Sequence, residues 1–123
     1  MIEGAVNAHY EAIVRLTLLD SSGQTREIDA VIDTGYNGFL TLPPALVAEL
    51  QLRRLGQKSL VLANGSRDVF DTFGVTALWD GQSRFVDVDE ADATPLVGMS
   101  MLDDYDLSIQ VRNGGRVVIQ AIE

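Results

Sequence analysis

The tripeptide Asp33-Thr34-Gly35 ends an apolar run and combines residue types that can do acid–base chemistry. The apolar residues 30–32 predict a strand that ends in the core, with Asp33 at its boundary. A carboxyl group in such a place is costly to ionise, and a second carboxyl nearby raises the pKa of one of the two. Two carboxyls that share one proton provide a base for water and an acid that polarises a carbonyl group.

The other two residues of the tripeptide fit a tight catalytic loop and also an ordinary turn. Gly35 would let one backbone approach another closely, and the Thr34 hydroxyl would hold the loop through hydrogen bonds. However, all three residue types are common in turns, and the tripeptide would occur by chance in roughly one chain of this length in fifty. The tripeptide alone therefore leaves both interpretations open.

The segments that precede and follow this loop predict strands that would position it. The chain has 123 residues, which suits one domain spanning residues 1–123. Residues 9–19 alternate between apolar and polar, which predicts a half-buried strand, and residues 26–32 predict its hairpin partner. The buried face of the first strand is predicted to hold Tyr10, Ala12, Val14, Leu16 and Leu18. Pro43 and Pro44 predict the start of a helix.

The second half of the chain predicts further hairpins and little helix. Residues 60–70 contain Asn64-Gly65, a strong hairpin signal. Residues 95–102 predict a short apolar strand that leads into a short helix, and residues 106–122 predict a last hairpin. In total the sequence predicts seven to nine strands and one or two short helices, a mainly β barrel or sandwich.

Three of these features, in this order, resemble the retropepsin-like (retroviral-type) aspartic proteases. They are the apolar run into the tripeptide (30–35), the hairpin about 30 residues later (60–70) and the apolar-Gly strand before a short helix (95–102). The resemblance spans about residues 9–122, and the stretch 33–43 is most similar to small prokaryotic members of that family.

The resemblance implies a closed, mainly β acid-protease barrel that works as a symmetric homodimer on a peptide or protein substrate, without metal or cofactor. It implies that Asp33, Thr34 and Gly35 form the catalytic loop. It also implies a substrate-covering flap whose tip is formed by Ala63, Asn64, Gly65 and Ser66. The chain contains one such tripeptide and is too short for two lobes, so a pair of aspartates requires a second copy across a two-fold axis.

Tyr36 departs from the family pattern, in which alanine or serine usually follows the tripeptide. Its ring would line the substrate cleft and narrow it, or fill the core. If the ring blocks the cleft, the chain would be a non-catalytic dimerisation or peptide-binding module of the same fold, which is the alternative to a protease. A third interpretation is a monomeric β-domain in which the tripeptide is an ordinary turn. The single glycine of the flap predicts a stiff cover. Residues 116–123 predict either a dimer strand or the last strand of the barrel.

The charge and composition argue against several classes of partner. The net charge is −9 with only nine Lys and Arg residues, which disfavours nucleic-acid binding. No apolar run approaches the ~20 residues that a membrane span needs. The first residues lack the pattern of a signal peptide, so a cytoplasmic location is expected. There is no cysteine, which excludes disulfides and thiolate chemistry.

The acidic segment 87–94 is the one candidate for a metal site. It lacks the glycine and the bidentate glutamate of a calcium-binding loop, because Asp92 and Gly98 stand at those positions. A solvated acidic loop is therefore predicted, and no metal or cofactor is expected.

Overall fold

The computed structural model describes all 123 residues and consists of ten strands and one helix. The elements are β1 (Ile2–Val6), β2 (Ala12–Leu19), β3 (Thr25–Ile32), β4 (Leu40–Leu42), α1 (Pro44–Leu50), β5 (Arg53–Val61), β6 (Arg67–Trp79), β7 (Gln82–Glu90), β8 (Leu96–Val97), β9 (Tyr105–Ile109) and β10 (Arg116–Ala121). The prediction of a mainly β fold with little helix is confirmed.

Six strands pair in an order that returns to its first member. Strand β2 pairs with β3, β3 runs parallel to β8, and β8 pairs with β4. Strand β4 runs parallel to β7, β7 pairs with β6, and β6 pairs back onto β2, where Leu18 lies opposite Ala77. Strands β1, β10 and β9 extend the sheet from β2, and β5 extends it from β6.

The core is formed by alternate side chains of these strands. In β2 the predicted face is buried at Val14, Leu16 and Leu18, because successive strand residues point to opposite sides. Tyr10 was wrongly placed on that face. It lies before β2 with a left-handed backbone (φ 59°) and is 71% exposed, since this conformation interrupts the alternation.

Strand β1 was not predicted. It lies between β2 and β10, and its Gly4 comes so close to β2 that a Cβ atom there would lie 2.0 Å from the carbonyl oxygen of Ile13. The strand has only five residues and one of them is glycine, which gives a weak strand signal in the sequence. In the fold, this glycine permits the close approach of two backbones.

The predicted first helix is present, and the second is not. Helix α1 begins at Pro44 and buries Leu46, Val47 and Leu50, as its sequence pattern predicts. Residues 99–104 form successive turns instead of a helix, and the left-handed Asp104 (φ 68°) ends them before β9. No helix in the structure is long and apolar enough to span a bilayer.

Strands β5 and β6 form the predicted hairpin over residues 60–70. Its tip closes with hydrogen bonds between Leu62 and Ser66 and from the Gly65 N–H to Leu62, and Gly65 is left-handed (φ 84°). Strand β5 pairs only with β6 and is therefore an edge strand. At the other end of the sheet, β10 pairs with both β1 and β9, so β10 has no free edge.

Candidate active site

The end of β3 fixes the position of Asp33. Strand β3 lies between β2 and β8, and its residues Ala30 and Ile32 are buried. The Asp33 N–H donates to the carbonyl oxygen of Val97 in β8 at 2.9 Å. The chain therefore leaves the core at a defined point, and Asp33 is half-buried where the strand ends.

The three residues of the tripeptide form a tight loop with an exposed apex. The Gly35 N–H donates to Asp33 Oδ1 at 3.0 Å, and the Tyr36 N–H donates to the Asp33 carbonyl oxygen at 3.2 Å. Thr34 and Gly35 are exposed. One carboxylate oxygen of Asp33 is thus held by the loop, and the other accepts no hydrogen bond within the chain.

Tyr36 turns back toward the body of the protein. Its Oη lies 2.6 Å from Asp89 Oδ2 and 3.0 Å from the carbonyl oxygen of Leu40. The single hydroxyl proton serves the shorter bond, because a carboxylate is the stronger acceptor. Burial, and then the hydrogen bond to Asp89, raise the pKa of Tyr36 well above its usual range.

Two glycines make room for the Tyr36 ring. A Cβ atom on Gly38 would lie 2.3 Å from Tyr36 Oη, and one on Gly98 would lie 2.6 Å from the ring. The Met99 N–H donates to the Tyr36 carbonyl oxygen at 2.8 Å, and Gly98 is buried. The loop after the tripeptide is therefore packed against the segment that follows β8.

We expect Tyr36 to contribute to a loss of stability at alkaline pH. Its pKa is raised on folding, so its stabilising effect is complete below the unfolded pKa of about 10 and is lost as the pH rises above that value. The free energy of unfolding should therefore fall less steeply above about pH 10 in Tyr36→Phe than in the wild type. Urea unfolding of both proteins at several pH values measures the difference, and equal falls would contradict it.

Asp89 corrects the prediction for the acidic segment. Strand β7 extends to Glu90, so the first half of residues 87–94 is strand and only the second half is loop. The Asp89 side chain is 14% exposed and accepts hydrogen bonds from Tyr36 and, at 3.3 Å, from Lys58 Nζ in β5. Asp89 is thus a paired carboxylate and not a solvated one.

The predicted flap tip is the turn of the β5–β6 hairpin. Ala63, Asn64, Gly65 and Ser66 form one exposed turn, in which Asn64 Oδ1 accepts hydrogen bonds from the Ser66 N–H and hydroxyl. No hydrogen bond joins this turn to Asp33. A cleft of about 380 Å³ lies beside Tyr36, and neither the tripeptide nor the hairpin tip lines it. It is lined by Tyr36, Thr41, Leu60, Asp68, Val69, Phe70, Asp89, Glu90 and Ala91.

Two solved structures share this arrangement of strands. The protease of EIAV in complex with the inhibitor HBY-793 is similar with a TM-score of 0.60 and 17% identity, over 80% of this chain and 90% of that one. A retropepsin-like aspartic protease from Rickettsia conorii is similar with a TM-score of 0.60 and 14% identity, over 99% of this chain and 91% of that one. The chain has a retropepsin-like fold.

The retropepsin-like fold is recognised from the similarity of the backbones and not from similarity of sequence. Neither a protein-family profile nor a curated protein matches the sequence. Within this fold, the sequence predicted the tripeptide loop, the hairpin tip and Tyr36, whereas Asp89, Leu60 and Phe70 were missed as lining residues of the cleft. A signal for Asp89 was present, because a partly buried tyrosine hydroxyl needs a hydrogen-bond partner, but its position in the sequence did not identify that partner.

Proposed function

We propose that the chain is an aspartic endopeptidase that acts as a symmetric homodimer. The observation that carries the proposal is the loop at the end of β3, where one oxygen of Asp33 is held by the Gly35 N–H and the other is free. The retropepsin-like fold and the single Asp-Thr-Gly sequence support it. A two-fold axis through the exposed apex at Thr34 would bring the two Asp33 carboxyls together.

The proposed reaction uses the two Asp33 side chains as a pair with one shared proton. The ionised carboxylate removes a proton from a water molecule, whose oxygen attacks the carbonyl carbon of the peptide. The protonated carboxyl donates a hydrogen bond to the carbonyl oxygen and stabilises the tetrahedral intermediate. The carboxyl that took up the water proton then passes it to the amide nitrogen and the C–N bond breaks. The products are an amine and a carboxylic acid, and the pair is left with one proton again.

The substrate in this proposal is an extended peptide or protein segment. It would lie between the Asp33 loop and the β5–β6 hairpin, which serves as the flap, and pair with backbone groups as an added strand does. Leu60 and Phe70 on the hairpin would contact its side chains in the cleft of about 380 Å³. We place this activity in the cytoplasm, the compartment that the sequence predicts.

Cleavage assays test the proposal directly. We expect purified protein to cleave unstructured polypeptides between about pH 3 and pH 7, and a statine-type inhibitor to stop the cleavage, because one carboxyl must stay protonated. Sedimentation should give the mass of two chains. Failure to find any inhibitor-sensitive cleavage by a dimer would favour the peptide-binding module, and a monomer would refute the shared pair of aspartates.

A further inference from the structure

Asp89 connects two elements that are far apart in the sequence. Its Oδ2 accepts a hydrogen bond from the Tyr36 hydroxyl, and its Oδ1 accepts one from Lys58. The carboxylate lies in β7, whose backbone is paired to β6 on one side and to β4 on the other, opposite Thr72 and Thr41. Asp89 is thus a fixed point on the body of the protein with one partner on each side.

The Tyr36 partner belongs to the loop that holds Asp33. Its N–H donates to the Asp33 carbonyl oxygen, and its own carbonyl oxygen accepts from Met99. Because Gly38 and Gly98 enclose its ring, the side chain has little freedom to move away from Asp89. This half of the connection is therefore rigid.

The Lys58 partner belongs to the β5–β6 hairpin. It lies opposite Phe70, on the edge strand β5 that pairs only with β6. The other ion pair of β5, between Arg54 and Asp71, stays within the hairpin. The bond from Lys58 to Asp89 is thus the ion pair that joins β5 to a strand outside the hairpin.

We propose that Asp89 is a positioning residue that sets the height of the β5–β6 hairpin above the Asp33 loop, through Lys58 on one side and Tyr36 on the other. Its role as a flap anchor in catalysis rests on the proposed function. Asp89 touches no reacting atom in this scheme. It defines one wall of the cleft and so determines how closely a bound peptide is covered.

Hydrogen exchange in the absence of substrate tests the anchor itself. The amides of residues 58–61 and 67–70 should exchange about fivefold faster in Lys58→Met and about tenfold faster in Asp89→Asn, while those of β2 and β3 keep their wild-type rates. The double variant should exchange no faster than Asp89→Asn, because both changes break one connection. Arg54→Met, which breaks the ion pair inside the hairpin, is the matched control and should leave residues 67–70 unchanged.

Kinetics then tests what the anchor does for cleavage. In Lys58→Met, KM should rise about fivefold while kcat stays within about twofold, because the hairpin contacts substrate but supplies no catalytic group. Wild-type hydrogen-exchange rates in the hairpin together with an unchanged KM would refute the anchoring role of Asp89, even if the protein is a protease. If the wild type cleaves nothing, the proposed function fails, and the exchange rates still decide whether Asp89 anchors the hairpin.

Discussion

Asp33→Asn is expected to reduce peptide cleavage by at least about a thousandfold while the dimer persists. Asparagine has nearly the same shape as aspartate, so the Gly35 N–H keeps an oxygen to bind. It cannot ionise, however, and a pair that includes it loses the shared proton on which both the base and the acid depend. Initial rates on an unstructured polypeptide, with sedimentation of the same sample, measure the two halves of this expectation.

Asp29→Asn is the matched control for that substitution. Asp29 lies in β3, the strand that leads into the Asp33 loop, but its side chain is 64% exposed and faces Arg15 on the surface. The same chemical change should therefore leave cleavage near the wild-type rate. Full activity in Asp33→Asn would refute the assignment, and equal losses in both variants would show that the effect is not specific to the loop.

Mixing experiments separate a shared pair of aspartates from a self-sufficient chain. If subunits exchange and the wild type is diluted with a ninefold excess of Asp33→Asn, only about a tenth of wild-type chains keep a wild-type partner. The activity per wild-type chain should then fall about tenfold. An activity per wild-type chain that stays constant would mean that each chain works alone, contrary to the symmetric dimer.

The parts of the site that could be predicted from the sequence are those with a local cause. The tripeptide loop follows from an apolar run that ends in Asp33, because strand burial and turn formation depend on neighbouring residues. The hairpin tip follows from Asn64-Gly65, since glycine adopts the left-handed backbone that the turn requires. Helix α1 follows from Pro43 and Pro44 and the spacing of the apolar residues after them.

The parts that could not be predicted depend on contacts between distant segments. Asp89 looked like a member of a charged loop, because nothing near it in the sequence shows that Tyr36 and Lys58 will meet it. The segment after Gly98 has a helical pattern, yet its first N–H groups bond to the loop after the tripeptide and not within a helix. The position of Tyr36 could not be predicted for the same reason, because its ring fills a space beside Gly38 and Gly98 that exists only in the folded chain.

Gly98→Ala is expected to destabilise the protein by about 3 kcal/mol, which lowers Tm by about 10 °C. A Cβ atom at this position would lie 2.2 Å from the carbonyl oxygen of Gly38 and 2.6 Å from the ring of Tyr36. The ring is already enclosed, and the carbonyl belongs to the backbone, so relief of these contacts requires a shift of the main chain. The Gly98 N–H also donates to the carbonyl oxygen of Phe39 at 2.9 Å, so relief of the clash would stretch a buried hydrogen bond.

Gly56→Ala is the control for this prediction, because a Cβ atom there meets nothing within 4 Å and Gly56 does not have a left-handed backbone. Its free energy of unfolding in urea should stay within about 0.5 kcal/mol of the wild type. Equal stability of the two variants would mean that the segment after β8 is not packed tightly against the Asp33 loop. Gly98→Ala would also displace Tyr36 from Asp89. The free energy of unfolding of this variant should therefore fall less steeply above about pH 10 than that of the wild type, as in Tyr36→Phe. This result would show that the packing at Gly98 supports the hydrogen bond between Tyr36 and Asp89.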